Sequence, residues 1–265
     1  MAGAEGGAGQ DGEAAVLVDV RDRVLLVTLN RPEARNAVNG ALAAGVAAAV
    51  ERLEADEELM VGVITGAGKG FSSGMDLKAF LRGETPHAGG RGFAGICERP
   101  PAKPMIAAVE GFAVAGGLEI ALSCDLIVAG HGARLGIPET KRGLIAGAGA
   151  LIRLPRRIPR HVAMEMALTG ELVSAERAYG LGLVNVVCED GGAVGEALRI
   201  AAGIAANGPL AVRVSKQIVD ELVELSEAEA WRRQQAFIDQ IMESEDAREG
   251  AAAFAEKREP AWTGR

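Results

Sequence analysis

The sequence predicts an α/β fold in which strands and helices alternate up to about residue 190, followed by a region of helices alone. Short runs rich in Val, Ile and Leu recur between longer segments in which apolar residues follow helical spacing. Beyond them, four successive segments keep helical spacing, and the breaker at 207–209 separates the first two. We therefore divide the chain into a leader at 1–13, a core at 14–190 and a helical C-terminal region at 191–265.

Local signals predict the individual elements. The charged turn at 21–23 lies between two β-branched runs and predicts a β-hairpin, whereas the Gly- and Ala-rich residues 1–13 lack periodicity and predict disorder. Predicted strands span 16–20, 24–29, 60–65, 105–109 and 125–129, and predicted helices span 38–53, 116–122, 194–206, 210–225, 227–242 and 246–257. The breaker-rich stretch 81–93 predicts a loop.

Charge and composition argue against several function classes. A formal net charge of −8 disfavours binding to a nucleic-acid backbone, which needs a dominant basic face. No window of about 20 apolar residues occurs, and the N-terminus lacks the features of a secretory signal, so we expect a soluble, cytoplasmic protein without a membrane partner. The cysteines Cys97, Cys124 and Cys188 lack metal-ligand spacing and are expected to be buried thiols, with no metal bound.

Residues 70–74 match the Gly-x-Ser-x-Gly elbow of a serine hydrolase and follow a predicted strand. In chain order such an enzyme uses Ser72 as nucleophile, Asp125 as acid and His131 or His161 as base. The serine hydrolase is therefore a rival hypothesis. Against it, neither histidine has independent support. The glycines at 66–70 match neither a dinucleotide fingerprint nor a P-loop, because the third glycine and the Ser or Thr after Lys69 are missing.

Two glutamates each lie beside a small-residue or turn signal. Glu119 lies three residues into the predicted helix that begins with Gly116 and Gly117, and Glu139 follows Pro138 in a loop. Two carboxylates can move protons, and unpaired N–H groups at a helix start can hold a developing oxyanion, so the pattern indicates acyl-transfer or enolate chemistry. On spacing alone, close packing of the glycines and a helix-dipole role for Glu119 explain the same residues.

Together these segments resemble the crotonase (enoyl-CoA hydratase/isomerase) family from about residue 16 to residue 258. The matching segments are 30–37, 65–77, 106–119, 124–125, 138–139 and 253–258. The resemblance implies a crotonase-like spiral of repeated β-β-α units with a helical C-terminal trimerisation region, assembled as a homotrimer or a dimer of trimers. It implies an enoyl-CoA hydratase of fatty-acid or related acyl-CoA degradation, which needs no cofactor besides the coenzyme A of its thioester substrate.

The resemblance also assigns roles to residues. It places the backbone N–H groups of Met75 and Gly116 in an oxyanion hole, and it makes Glu119 and Glu139 the catalytic pair. By analogy Glu119 activates the water that adds at the β-carbon, while Glu139 hydrogen-bonds that water and supplies the α-carbon proton. Retention of both glutamates favours a hydratase over Δ3,Δ2-enoyl-CoA isomerisation and over a catalytically inactive CoA-binding scaffold.

Coenzyme A contacts are likewise implied by the resemblance. They fall on Arg35, Asn36, Ala37, Asp76 and Leu77, with Phe254 and Lys257 approaching the nucleotide from a neighbouring subunit. The basic run at 153, 156, 157 and 160 is interpreted instead as a helix–loop surface.

Two features depart from the family pattern. Ala146 and Ala150 stand where relatives often have a turn proline and a glycine, so we expect an altered backbone behind Glu139. His131 and Gly132 replace a more usual acidic pair.

Overall fold

The computed structural model describes residues 14–265, so the predicted leader at 1–13 lies outside the described residues. Its strands are β1 (Val16–Arg21), β2 (Val24–Leu29), β3 (Val61–Gly66), β4 (Met105–Val109), β5 (Phe112–Val114), β6 (Leu126–Gly130), β7 (Arg134–Gly136), β8 (Val173–Ser174) and β9 (Val186–Cys188). Its helices are α1 (Gly40–Ala55), α2 (Leu77–Leu81), α3 (Gly116–Ala121), α4 (Ala150–Arg157), α5 (Arg160–Thr169), α6 (Ala175–Gly180), α7 (Ala193–Ala205), α8 (Pro209–Leu222), α9 (Glu227–Glu243) and α10 (Glu245–Glu256). Short 3-10 helices span Pro32–Ala34 and Pro138–Arg142.

The larger sheet has the strand order β1-β2-β3-β4-β6-β9. The β1–β2 hairpin is antiparallel, as predicted, and every later pair in this sheet is parallel. Its central strands are covered on both faces, which explains why they read as continuous apolar runs rather than as alternating ones.

Two separate apolar clusters cover the two faces of this sheet. Alternate strand residues divide between them: Ile64 faces the cluster that contains α1, whereas Val61 and Val63 face the cluster that contains α7. Helix α7 presents buried alanines at 193, 197, 201 and 205, one helical turn apart, and these small side chains let it lie close to the strands. Helix α7 thus packs against the core sheet although it lies beyond residue 190. The predicted boundary between the core and the C-terminal region at that residue stays a prediction.

A second sheet contains the short strands β5, β7 and β8, which the sequence analysis did not identify. Strands β5 and β7 are parallel, from Phe112 opposite Arg134 to Val114 opposite Gly136. The chain therefore leaves both strands at the same edge, and the Ala115 N–H donates to the Gly136 carbonyl across it at 2.9 Å. Helix α3 follows β5 and the second 3-10 helix follows β7, so this edge brings Glu119 and Glu139 to one place.

Most predicted elements are confirmed to within one or two residues. Helix α1 begins later than predicted because Asn39 caps it, its side chain accepting from the Leu42 N–H at 3.0 Å. Helix α8 ends at Leu222 rather than at 225, ahead of Ser226, which caps α9. Residues 82–104 form a loop with an isolated bridge between His87 and Phe93. Within residues 14–265, none of the helices is long and apolar enough to cross a lipid bilayer.

Candidate active site

A cavity of about 1000 Å³ opens beside the shared edge of β5 and β7. It is lined by the start of α3, the second 3-10 helix, the segment that leads into α2 and part of the 82–104 loop. The two predicted catalytic residues, Glu119 and Glu139, both line it. So do the two predicted oxyanion donors, Met75 and Gly116.

The Met75 and Gly116 N–H groups come from two segments in direct contact. Val38 donates to the Gly74 carbonyl at 2.8 Å and accepts from the Asp76 N–H at 2.9 Å, which turns the intervening Met75 N–H away from Val38. Gly116 is the first residue of α3, where a helix has no internal acceptor for its N–H. In residues 14–265 neither N–H has a hydrogen-bond acceptor, so both are available to a ligand oxygen.

Backbone conformations that favour glycine hold these two segments together. Gly74 has φ +88°, and a Cβ atom placed on it would lie 2.7 Å from the Gly116 nitrogen. Ala115 has φ 54° and ψ −129°, an unfavourable conformation for an L-residue that directs the chain into α3. The close approach of the two segments therefore depends on glycine at 74 and on a strained residue at 115.

Glu119 is almost fully buried, with 3% of its surface exposed. Its Oε1 accepts two backbone hydrogen bonds, from Ala148 at 2.7 Å and from Ala150, the first residue of α4, at 3.1 Å. Burial raises the pKa of this carboxyl, and the two hydrogen bonds and the charge of Arg153 oppose that rise. Glu119 is thereby fixed in orientation and favoured as an anion relative to an equally buried, unpartnered carboxyl.

Glu139 has a different environment. Its Oε2 is buried and has no hydrogen-bond partner in the described part of the chain. Burial raises its pKa to about 7, the negative charge of Glu119 adds to the rise, and a hydrogen bond from its own backbone N–H and the charge of Arg142 oppose it. Near neutral pH this carboxyl is therefore divided between acid and anion, which suits proton transfer in either direction.

The predicted coenzyme A contacts are only partly brought together. Arg35, Ala37, Asp76 and Leu77 line the cavity, whereas Asn36 does not. The Asn36 side chain is fully buried and holds the backbone instead, accepting from the Arg31 N–H at 2.9 Å and donating to the Ala67 and Gly70 carbonyls, each at 2.9 Å.

The Asp76 carboxylate is also engaged internally. It caps α2 by accepting from the Lys78 and Ala79 N–H groups, and it pairs with Arg31 at 3.1 Å. Burial opposes its ionisation, but these contacts lower its pKa. Asp76 therefore anchors the segment that carries Met75.

Phe254 and Lys257 do not line this cavity. Phe254 lies on α10 with 88% of its surface exposed, and Lys257 ends that helix in a left-handed conformation. Their predicted role requires a neighbouring subunit, and it stays a prediction.

The residues of the rival hydrolase hypothesis are not assembled. Ser72 is fully buried, its hydroxyl donating to the Asn36 carbonyl at 2.8 Å and accepting from the Gly74 N–H at 3.2 Å. Asp125 accepts from the Met105 N–H and pairs with Lys216, while His131 faces Glu176 at 3.1 Å on the surface. Ser72 supports the turn that presents Met75.

The altered loop after Glu139 still serves the site. Ala146 is buried, and Ala148 and Ala150 supply the two N–H groups bound to Glu119. Because Ala150 contributes its backbone N–H rather than its side chain, an alanine at this position keeps the hydrogen bond to Glu119.

One wall of the cavity lies in and just after the loop predicted at 81–93, but its residues were not identified from the sequence. Phe93, His87 and Glu98 line it, and all three come from the loop region 82–104, which has no periodic pattern to identify them. The Phe93 ring lies against Gly116, where a Cβ atom would approach it to 2.5 Å. Only the glycine at 116 lets this aromatic wall reach the predicted oxyanion donors.

Comparisons with known proteins identify the family and the fold. Residues 19–265 match the model of the enoyl-CoA hydratase/isomerase family. Carnitinyl-CoA dehydratase of Salmonella enteritidis is 40% identical over 250 residues, which cover 91% of this chain and 95% of the relative.

Among solved structures, an enoyl-CoA hydratase of Mycobacterium tuberculosis H37Rv is 53% identical with a TM-score of 0.93, covering 96% of this chain and all of that one. A carnitinyl-CoA hydratase of Mycobacterium avium is 45% identical with a TM-score of 0.77, over 96% of this chain and all of that one. With a family model that spans nearly the whole chain and neighbours of the same fold, this protein belongs to the enoyl-CoA hydratase/isomerase, or crotonase, family of enzymes that act on acyl-CoA thioesters.

Proposed function

We propose that this protein catalyses the reversible addition of water to the trans-2 double bond of an enoyl-CoA. The observation that carries the proposal is the pair Glu119 and Glu139, two carboxyl groups of unlike environment in one cavity with two free backbone donors. Coenzyme A serves as part of the substrate, and no separate cofactor takes part in the proposed steps.

The thioester carbonyl oxygen binds the Met75 and Gly116 N–H groups. As water adds at the β-carbon, negative charge moves onto this oxygen, and preorganised donors stabilise it more in the transition state than in the ground state. The water gives one proton to Glu119, its oxygen bonds to the β-carbon, and Glu139 gives its proton to the α-carbon. The carboxyl pair holds one proton before and after the step, so the same groups serve dehydration in reverse.

Cations around the cavity favour an acidic ligand such as the phosphates of coenzyme A. Arg31, Arg35, Lys78, Arg82 and Arg142 all line it, although the chain as a whole carries a net charge of −8. Arg31 and Arg82 are each paired with an acidic side chain in this structure, at 3.1 Å and 2.8 Å, which leaves Arg35, Lys78 and Arg142 without a carboxylate partner in the described chain.

The test follows the loss of the conjugated enoyl-thioester absorbance with crotonyl-CoA as substrate. We expect Glu119→Gln and Glu139→Gln each to lower kcat by about 100-fold to 10,000-fold, the contribution typical of a positioned acid or base. Binding of the substrate should persist. Glu51→Gln, which removes an exposed carboxylate on α1 away from the cavity, is the matched control. Near-wild-type rates in either cavity variant would exclude the proposed chemistry.

A second candidate function is the loss of water from a 3-hydroxyacyl-CoA with a positively charged acyl group, such as carnitinyl-CoA. The specific observation is Glu98, which lines the same cavity as Phe93 and forms no ion pair within the described chain. A carboxylate and an aromatic ring in one cavity suit a quaternary ammonium group. The names of two relatives, carnitinyl-CoA dehydratase and carnitinyl-CoA hydratase, add support.

Substrate competition separates the two candidates. If the charged substrate is the preferred one, kcat/KM for carnitinyl-CoA dehydration exceeds that for a neutral 3-hydroxyacyl-CoA, and Glu98→Gln lowers the ratio of the two values about tenfold. A ratio that Glu98→Gln leaves unchanged excludes this role for Glu98 and keeps the neutral enoyl-CoA as substrate.

Assembly as a homotrimer or a dimer of trimers is also a proposal. The C-terminal helices α9 and α10 expose large apolar side chains, among them Trp231 at 62%, Met242 at 69% and Phe254 at 88%. Such residues favour burial against another subunit. Sedimentation equilibrium tests this, because a monomeric mass at micromolar concentration contradicts it.

A further inference from the structure

Arg153 lies at the junction of the segments that surround Glu119. It belongs to the second turn of α4 and is half-buried. Its Nη2 donates to the Cys97 carbonyl at 2.5 Å, and its Nη1 donates to the Ser123 hydroxyl at 3.2 Å and to the Ala148 carbonyl at 3.5 Å. One guanidinium thus joins the 93–97 segment, whose Phe93 lines the cavity, to the end of α3 and to the 146–150 loop.

Two of these three contacts, those with Ser123 and Ala148, lead back to Glu119. The Ser123 hydroxyl accepts from Arg153 and donates to the Glu119 carbonyl at 2.8 Å. Ala148 accepts from Arg153 through its carbonyl and donates to the Glu119 carboxylate through its N–H. The guanidinium is therefore one residue removed from both the backbone and the carboxylate of Glu119.

Gly149 lies against the guanidinium of Arg153. It has φ +118°, and a Cβ atom placed on it would lie 2.4 Å from Arg153 Nη1. A side chain at this position would be strained by the backbone φ and would displace the guanidinium, so the loop and Arg153 are packed closely against each other.

The positive charge of Arg153 favours the ionised form of Glu119, whose orientation its hydrogen bonds support. Burial raises the pKa of Glu119, and Arg153 is the cation that opposes the rise. The other titratable groups near this carboxyl are Glu139, which gains a raised pKa from it, and the Cys97 thiol, whose pKa burial raises to about 12 and which is therefore neutral. Among residues 14–265, no second cation offsets the two carboxyl groups from the Glu119 side.

We propose that Arg153 is a positioning residue for Glu119: its guanidinium fixes the 146–150 loop and the 93–97 wall against the end of α3, and so holds the Glu119 carboxylate in one orientation opposite Glu139. This role rests on the proposed function, in which Glu119 takes the proton of the water. The basic run was predicted to form a helix–loop surface, whereas Arg153, one of its members, is half-buried and contacts residues that hold Glu119.

The test uses Arg153→Met, Arg153→Lys and the matched control Arg156→Met. Arg156 lies on the same helix, but it is exposed and pairs with Glu224 at 2.7 Å, away from the cavity. The titration of Glu119 is followed by carbon-13 NMR of the glutamate carboxyls, with Glu119→Gln identifying the signal. Turnover of crotonyl-CoA and binding of butyryl-CoA, which cannot be hydrated, are measured on the same proteins.

We expect Arg153→Met to raise the Glu119 midpoint by about one pH unit, as removal of a nearby opposite charge does. The acid limb of kcat/KM should move upward with it, and kcat should fall about tenfold while the Kd for butyryl-CoA stays within about twofold. Arg153→Lys should restore the midpoint, since it keeps the charge, but only part of kcat, since a lysine cannot bridge the three acceptors. Arg156→Met should change none of these.

An unchanged Glu119 midpoint in folded Arg153→Met overturns the proposal, and so do equal changes in Arg156→Met. If Arg153→Met does not fold, Ser123→Ala decides: it removes one acceptor of the guanidinium, and a midpoint equal to the wild-type value overturns the proposal, whereas a smaller upward shift supports it. The NMR titration needs no turnover. A wild-type protein that hydrates no enoyl-CoA therefore refutes the proposed function separately from the role of Arg153.

Discussion

The dependence of the rate on pH follows from the environment of Glu139. The proposed hydration uses Glu119 as the anion and Glu139 as the acid, and burial raises the pKa of Glu139 to about 7. The protonated fraction of such a group is about 90% at pH 6, about 10% at pH 8 and about 1% at pH 9, so kcat/KM should fall about tenfold per pH unit above 7. An unperturbed glutamate would give no such limb at neutral pH.

The reverse reaction provides an internal check. Dehydration needs Glu119 protonated and Glu139 ionised, which is again one proton on the pair, and no proton is gained or lost in the overall reaction. The alkaline limb of kcat/KM should therefore occur at the same pH in both directions. The acid limb is assigned to Glu119, which has two backbone donors and Arg153 to favour its anion.

The assay is the initial rate of change of enoyl-thioester absorbance between pH 5 and pH 9.5, at substrate concentrations well below KM. Glu139→Gln should lose the limb near pH 7 together with most of the rate. A wild-type kcat/KM that is flat from pH 6 to pH 9, or limbs that differ between the two directions, would refute this assignment of the proton.

Three further predictions test other parts of the structure. Gly74→Ala should lower kcat about 10-fold to 100-fold by displacing the Gly116 N–H, whereas Gly83→Ala, with a similar φ of +82° but nothing within 4 Å, should not; equal rates in the two variants would contradict the geometry. Glu139 destabilises the native state as pH rises from 4.5 toward 7, because the unfolded carboxyl ionises first. Glu139→Gln should therefore gain about 1 to 2 kcal/mol relative to wild type between pH 4 and pH 8 in urea unfolding, since solvent screens part of the effect at this partly exposed group, and a constant difference would contradict it. The Cys97 thiol, whose pKa burial raises to about 12, should resist alkylation at pH 8 until urea unfolds the protein; peptide mapping that finds rapid native labelling would disprove its burial.

The elements of the larger sheet and its helices could be predicted because their signals are local. Strand β3 is an unbroken apolar run, and α1 has helical spacing with a capping asparagine. The second sheet could not be predicted in the same way, because β8 has only two residues and pairs with β7 across nearly forty positions of sequence. Its stability comes from tertiary packing, which leaves no periodic pattern.

The site was predictable to a similar extent. The resemblance to a family located Glu119, Glu139, Met75 and Gly116, and all four line one cavity. It did not foresee that Asn36 turns its side chain inward to three backbone groups. The run of arginines also gave no sign that Arg153 is half-buried beside the loop that binds Glu119. Its burial depends on contacts with Cys97 and Ser123, which are distant in sequence.

The most direct test of the central claim is the fate of heavy-oxygen water. Purified protein is incubated with a trans-2-enoyl-CoA, and separately with a 3-enoyl-CoA, and the products are examined by mass spectrometry. The proposed hydratase places one heavy oxygen on the β-carbon of the trans-2-enoyl-CoA. If the 3-enoyl-CoA is instead converted to the trans-2 isomer without label, or label enters only a free carboxylic acid, the reaction is isomerisation or thioester hydrolysis, and the assignment of Glu119 and Glu139 to water addition is contradicted.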